Sequence, residues 1–437
     1  MNSNSKQTIN LITLGCAKNI VDSEHLAATL DPTQWEIRFD HDDPADVVII
    51  NTCGFILDAK EESIETILSA AALRKNGQIK QLFVFGCLSQ RYADELRAEM
   101  PEVDEFFGAR TIEDIVAKLK GDNDIKTDRI LTTPKHYAYL KISEGCNWGC
   151  GYCAIPLIRG KHISVPMEEL LEEATKLAQN GVKELMVIAQ DTTYYGMDLY
   201  GERKLGELLR KLCQISGLEW IRLHYAYPTT FPDDVIEIMA NEPKMCKYLD
   251  IPLQHITDNM LSSMRRGLTQ KETEELIEKL RTKIPGIAIR TTMLVGYPGE
   301  TAEDIEALKE FMKKARFEKL GVFPYSAEEG THSYLKLEDN LTDEEKQNRA
   351  DEIMALQQNI SESICEKRIG MTARVIVDKE QDDFVVCRAE WDSPEVDGEV
   401  FVPKSSFENN AEGVIPGQFI NVKITSADLY DLYADKI

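Results

Sequence analysis

The chain has 437 residues, room for two to four domains at roughly 100–200 residues each, which excludes one small domain. Its 50 Lys and Arg face 75 Asp and Glu, a net charge of −25 that repels phosphate backbones, so a nucleic-acid partner would have to be met locally. No apolar run reaches the ~18–20 residues of a membrane span, and residues 1–10 lack the apolar core of a secretory signal. The expectation is a soluble, cytoplasmic protein in a reducing compartment, whose ten cysteines are thiols rather than disulfides.

In chain order, residues 8–14, 46–51 and 81–86 read as short β-rich strands, each followed by an amphipathic helical stretch. That pattern predicts an open parallel α/β sheet over 1–120. Residues 121–135, rich in Asp, Lys and Thr and closing on Pro134, read as a linker. Six further strand-like runs follow, at 138–143, 184–190, 220–225, 247–253, 288–294 and 319–325, with helical stretches between them. Strand–helix units with right-handed crossovers curl into a parallel barrel whose chemistry sits at the carboxyl ends of its strands; six units predict a partial (βα)6 TIM-like barrel over 136–341. Thr342 with Glu345 three residues later is a capping-box pair, so 342–370 reads as a spacer helix ended by Gly370. Alternating runs at 373–378, 384–388, 399–402 and 418–425, broken by Gly, Pro and Asn, predict a small antiparallel β-barrel over 371–437. This last stretch holds six basic and fourteen acidic residues, a net of −8.

The cysteines carry the chemistry. Cys146, Cys150 and Cys153 form a C-x-x-x-C-x-x-C loop directly after the first barrel strand. Thiolates are the ligands of iron–sulfur clusters, and three on a Gly-rich loop leave one iron of a cubane open. A zinc site or buried structural cysteines are the competing readings, but a zinc ribbon would show a second C-x-x-C pair nearby. Cys16, Cys53 and Cys87 each end a predicted strand. In a doubly wound sheet those ends line one edge, so thiols far apart in sequence can meet, with Gly15, Gly54 and Gly86 leaving room for a bulky inorganic group. Each alone would be an ordinary buried cysteine; the same placement three times argues otherwise. Cys213, Cys246, Cys365 and Cys387 lack such placement and read as packing residues.

The three-cysteine loop on a strand–helix barrel resembles the radical S-adenosylmethionine (SAM) superfamily, in which the open iron chelates SAM and SAM is cleaved to a deoxyadenosyl radical. That resemblance puts Tyr152, just before the third cysteine, against the adenine. With the N-terminal trio and the C-terminal barrel, the whole chain resembles the methylthiotransferases. The resemblance implies two 4Fe–4S clusters, one on Cys146, Cys150 and Cys153 and a second on Cys16, Cys53 and Cys87. It also implies a C-terminal TRAM domain for substrate recognition and insertion of a methylthio group into a C–H bond. Asn147 and Trp148 depart from the usual pattern but leave the three loop cysteines intact.

Two branches of the family modify different substrates: an adenosine of transfer RNA, or the β-carbon of an aspartate in ribosomal protein twelve of the small subunit. The segments 154–160, 223–228, 251–255 and 325–331 are similar to the ribosomal-protein branch, and Glu328 and Glu329 stand where the RNA branch carries a basic residue. The acidic C-terminal stretch would attract a basic ribosomal protein, although acidic residues also merely solubilise. The expectation is therefore a monomeric enzyme without direct nucleic-acid specificity and without a membrane partner, served by an electron donor such as flavodoxin or ferredoxin. By position at barrel-strand ends, Gln190, Asp191, Gln254, Arg290 and Gly296 are nominated for SAM, with His255 as either a substrate contact or a structural histidine. Glycine at 296 permits close backbone approach. Arg159 and Arg222 compete with Arg290 for the SAM carboxylate.

Overall fold

The computed structural model describes residues 6–43, 45–119, 128–407 and 413–437. It divides into two compact units, the first comprising residues 1–133, 143–148 and 153–173 and the second 134–142, 149–152 and 174–437.

The first unit is built on a five-stranded parallel sheet: β1 (Gln7–Thr13), β2 (Trp35–Phe39), β3 (Val47–Thr52), β4 (Gln81–Gly86) and β5 (Glu105–Phe106), in the order β2-β1-β3-β4-β5. Alternate residues face opposite layers, as a pleated strand requires. Ile9, Leu11, Ile49, Phe83 and Phe85 pack with helices on one face; Val48, Ile50, Leu82 and Val84 do so on the other. Burial on both faces explains the nearly continuous apolar runs of β3 and β4. β2 was not expected from sequence: it lies at the edge, where Glu36 and Arg38 interrupt the apolar pattern. Of the expected linker, residues 121–127 lie outside the described residues. Just beyond them, Thr132 donates from its backbone N–H (2.6 Å) and hydroxyl (2.9 Å) to the fully buried Glu24, which also pairs with Arg129.

The second unit contains six parallel strands in sequential order: β6 (Tyr137–Lys141), β7 (Glu184–Ile188), β8 (Trp220–Leu223), β9 (Met245–Asp250), β10 (Ala288–Val295) and β11 (Lys319–Pro324). This is the expected partial barrel. The helix Asp343–Glu366 follows, with the Thr342–Glu345 capping box formed and Gly370 at φ +85° beyond its end. A closed barrel comes last, from β12 (Thr372–Gln381), β13 (Phe384–Ala389), β14 (Val400–Pro403), β15 (Phe419–Ala427) and β16 (Leu432–Lys436). The expectation of a purely antiparallel barrel needs one correction: β14 and β16 pair in parallel, since the barrel closes by setting its last strand, antiparallel to β15, against β14. β16 itself was missed in the sequence, where polar Asp435 and Lys436 end a very short apolar run.

Charged residues join the two barrels within this unit. Glu184, at the start of β7, accepts from Arg222 Nε at 2.8 Å and pairs with Arg388 of β13 at 2.7 Å. Burial alone would raise the Glu184 pKa, but Arg388 and Arg222 reverse this and hold it at about 2. The segment after β13 continues the junction: Lys319 pairs with Asp392 at 2.7 Å, and Tyr248 donates to Asp397 at 2.8 Å.

Candidate functional site

The sheet order 2-1-3-4-5 reverses direction between β1 and β3, and open α/β sheets bind ligands outside the carboxyl ends of the strands at such a switch point. Register does the rest. Thr13 pairs with Asn51, and Thr52 with Gly86, so Cys53 and Cys87 leave adjacent strands side by side and Cys16 follows β1 by three residues. Helices start at once after two of these thiols: Cys16 is the N-cap of Ala17–Thr29, and Cys87 is the first residue of Cys87–Glu99. A helix amino terminus favours a thiolate. Cys53 is pinned through its backbone, since its N–H donates to Ser63 Oγ at 3.1 Å and its carbonyl accepts from the same hydroxyl at 3.0 Å.

The Cys53 and Cys87 thiols feel their neighbours. Burial pushes the Cys53 thiol up and neighbouring Cys16 adds to this. Burial likewise pushes Cys87 up to about 11, with Arg159 opposing and Cys16 and Cys53 reinforcing. Gly15, at φ +91°, is required by this closeness, because a Cβ there would fall 2.8 Å from Cys53 Cβ. Behind the trio runs a buried polar network. Arg159 Nε donates to Cys87 Sγ at 3.2 Å, and its terminal nitrogens donate to Asp22 at 2.9 Å, Glu144 at 3.2 Å and Asn19 at 2.5 Å. Asn19 in turn donates to the carbonyls of Leu14 (2.7 Å) and Thr52 (3.2 Å), tying the end of β1 to the end of β3. Arg159, one of the residues weighed for the SAM carboxylate, is thus fully engaged within the first unit.

The C-x-x-x-C-x-x-C loop is held in each unit separately. In the first, the Cys146 N–H donates to the Gly160 carbonyl at 3.1 Å. In the second, Gly151 donates to the Met264 carbonyl at 2.9 Å and accepts from Ser333 N–H at 2.8 Å. A Cβ on Gly151 would sit 2.7 Å from the Tyr297 hydroxyl, so a side chain here would have to displace it. Cys150 Sγ lies 3.4 Å from both Arg266 Nη1 and the Tyr227 hydroxyl. Arg266 Nη1 also donates to the Tyr152 hydroxyl at 3.2 Å, and the Tyr152 ring meets Tyr297 edge-on at 6.5 Å. Arg266 and Tyr227 had not been singled out in the sequence.

The nominated strand-end residues are distributed as follows. Asp191 is buried and accepts from Thr193 N–H (2.8 Å) and hydroxyl (2.7 Å), and Gln190 precedes it just beyond β7. Gln254 adopts φ +76° and exchanges backbone bonds of 2.8 Å with β10. Gly296, at φ +72°, donates to Glu300 at 2.8 Å. His255 is fully buried; its Nδ1 accepts from Ile256 N–H at 2.9 Å and its Nε2 lies 3.4 Å from Glu300. Arg290 departs from the expectation: near the start of its strand, it donates to Asp397 at 2.7 Å and lies 4.0 Å from Asp250, while Arg222 serves Glu184. Both guanidiniums brace the junction between the barrels because that junction supplies the nearest carboxylates. Cys246 and Cys387 are fully buried, and burial pushes the Cys246 thiol up to about 12.

All-sulfur donor sets next to glycine suit iron–sulfur clusters. Among the described residues no three His, Cys, Asp or Glu side chains lie close enough to share a single metal ion. A cubane, by contrast, presents separate irons to separate thiolates.

Residues 140–312 match the Radical SAM superfamily, 8–108 the uncharacterized protein family UPF0004 and 369–437 the TRAM domain. The chain is therefore a radical SAM enzyme with a further domain on either side. Its fold is shared with the radical SAM methyltransferase TsrM from Kitasatospora setae (TM-score 0.55, 15% identity, 72% of this chain and 73% of that one). It is shared also with the cobalamin-dependent radical enzyme OxsB (TM-score 0.51, 12% identity, 81% and 56%). Much nearer in sequence are proteins named ribosomal protein uS12 methylthiotransferase RimO. That of Phocaeicola vulgatus is 50% identical over 98% of this chain and 99% of its own length, and that of Flavobacterium johnsoniae 50% identical over 98% of both. The chain belongs to the RimO family of radical SAM methylthiotransferases, whose cofactors are SAM and two 4Fe–4S clusters. No helix among the described residues is long and apolar enough to cross a membrane.

Proposed function

We propose that this chain inserts a methylthio group at the β-carbon of an aspartate of ribosomal protein uS12. The observation that carries the reading is the gathering of Cys16, Cys53 and Cys87 at one switch point, in a chain whose barrel bears a separate three-cysteine loop. Cys146, Cys150 and Cys153 would hold the cluster that works with SAM, and Cys16, Cys53 and Cys87 the second. When bound, the first supplies the electron for SAM cleavage and the second supplies a site for sulfur.

The chain's own residues do the positioning. Tyr152, held at its hydroxyl by Arg266, offers an aromatic face for adenine. Gln190, Asp191, Gln254 and Gly296 surround the strand ends where SAM would lie, and the positive φ at Gly296 lets backbone approach the ligand. Arg290 is left out of this set because Asp397 holds it. The domain bounds of this reading are 1–120, a linker at 121–135, 136–341, a spacer helix at 342–370 and 371–437, supported by the matches over 8–108, 140–312 and 369–437 and by the helix Asp343–Glu366.

The net charge of −8 on the TRAM region suits a basic protein substrate better than RNA. The enzyme would act as a cytoplasmic monomer reduced by flavodoxin or ferredoxin. The test is mass spectrometry after anaerobic incubation of the cluster-reconstituted chain, SAM and dithionite with uS12 or with transfer RNA. Methylthio addition to uS12 is expected; addition to RNA alone would overturn the reading.

A further inference from the structure

Five buried arginines stand out among the described residues, and four have carboxylates. Arg129 pairs with Glu24 and Glu173, Arg159 with Asp22 and Glu144, Arg222 with Glu184, and Arg388 with Glu184 and Asp378. The fifth, Arg266, is 2% exposed and no carboxylate of the described residues pairs with it. Its Nη2 donates to the Pro252 carbonyl, its plane lies 4.4 Å from the centre of the Tyr227 ring, and its Nε is buried without a partner. The remaining nitrogen, Nη1, points to Tyr152 Oη and Cys150 Sγ.

A buried charge without a counter-charge costs several kcal/mol, so a fold that keeps one supplies the opposite charge by other means. Among the described residues, the one group in reach of Arg266 that becomes anionic on binding iron is the Cys150 sulfur. The Tyr227 hydroxyl holds the arrangement from the other side, since it donates to the Arg266 carbonyl at 3.0 Å while resting against the same sulfur.

We propose that Arg266 is the built-in counter-ion of the cluster bound by Cys150, a positioning residue that raises the reduction potential of that cluster. A cubane carried by three thiolates is a net anion, and adding an electron makes it more so. A guanidinium bonded to one of its sulfurs favours the reduced form, since hydrogen bonds to sulfur and nearby charge set such potentials. The second triad differs in this respect: Arg159 reaches Cys87, but its charge is already matched by Asp22 and Glu144.

The inference rests on Cys150 being a cluster ligand. It is tested in the full chain carrying Cys16→Ala, Cys53→Ala and Cys87→Ala, so that one cluster remains. Iron and sulfide counts with an EPR-monitored redox titration are recorded for this background and for added Arg266→Met, Arg266→Lys or Cys150→Ala. Arg266→Met should keep its iron and reduce with an equilibrium constant about tenfold lower, a midpoint more negative by about 59 mV for one electron. Arg266→Lys should shift the same way by less, because an ammonium keeps the charge without the fork that fixes it. A loaded Arg266→Met with an unchanged midpoint overturns the proposal; if that variant does not fold or load, an unchanged midpoint in Arg266→Lys does so. Full, native cluster content in Cys150→Ala, which leaves no donor atom at this position, would instead sink the ligand assignment beneath it.

Discussion

At the level of single residues, the proposed reading gives the two thiol triads separable tasks. Cys16→Ala, Cys53→Ala or Cys87→Ala should leave SAM cleavage detectable as deoxyadenosine while sulfur insertion into uS12 falls to background. Cys150→Ala should abolish both, as read by chromatography of the nucleoside and mass spectrometry of the protein. Arg159 is a different kind of position. Truncating it to Ala strands the buried carboxylates of Asp22 and Glu144 and should destabilise the first unit by about 3–5 kcal/mol in urea unfolding. Neither Arg159 nor Arg266 could be assigned from sequence. Arg265 and Arg266 form a basic doublet of which the first is exposed and the second buried, and composition does not tell one from the other. The strand-end placement of Cys16, Cys53 and Cys87, by contrast, was legible because each follows an apolar or aromatic run that reads as a central strand.

At the level of elements, the strands buried on both faces were readable and the edge and closing ones were not. β3 is Val-Val-Ile-Ile-Asn-Thr and fully buried, whereas β2 exposes one flank and alternates Glu36 and Arg38 with its apolar residues. Arg290 was misplaced for a related reason: sequence order says that it lies on a barrel strand, but only the fold shows that Asp397, over a hundred residues later, stands beside it. The Glu184 cluster gives these long-range contacts a pH signature. Its carboxyl is held at about 2 against an ordinary value of 4.5, so its stabilisation is complete above about 4.5 and is lost as pH falls through about 2. Glu184→Gln should remove that segment of the stability–pH curve and leave Arg222 and Arg388 buried without their shared anion, costing about 3–5 kcal/mol at neutral pH. Urea unfolding of both forms between pH 3 and 7 measures it; parallel curves would contradict the arrangement.

At the level of the whole molecule, charge and cofactor content are the measurable quantities. A chain of net −25 meeting a basic ribosomal protein should bind it less tightly as salt rises to about 0.15 M, where screening acts beyond about 8 Å. Titration calorimetry at several ionic strengths shows whether the affinity falls. Anaerobic reconstitution should bring about eight irons per wild-type chain, and about four after removal of the Cys16, Cys53 and Cys87 thiols, as two cubanes require.

The joint between the partial barrel and the C-terminal one has a further bearing on how the enzyme comes into being. Glu184 is translated some two hundred residues before Arg388, and Asp397 comes later still, so these pairings at the base of the partial barrel form only after both later residues have been made. Domains tend to fold as they emerge from the ribosome, amino-terminal ones first. Here a nascent chain has the residues of its first sheet early but lacks the partners of Glu184 and Arg290 until residues 388 and 397 have been added. Premature termination before residue 388 should therefore leave Glu184 without Arg388 and yield a fragment that proteases cut faster than the full chain.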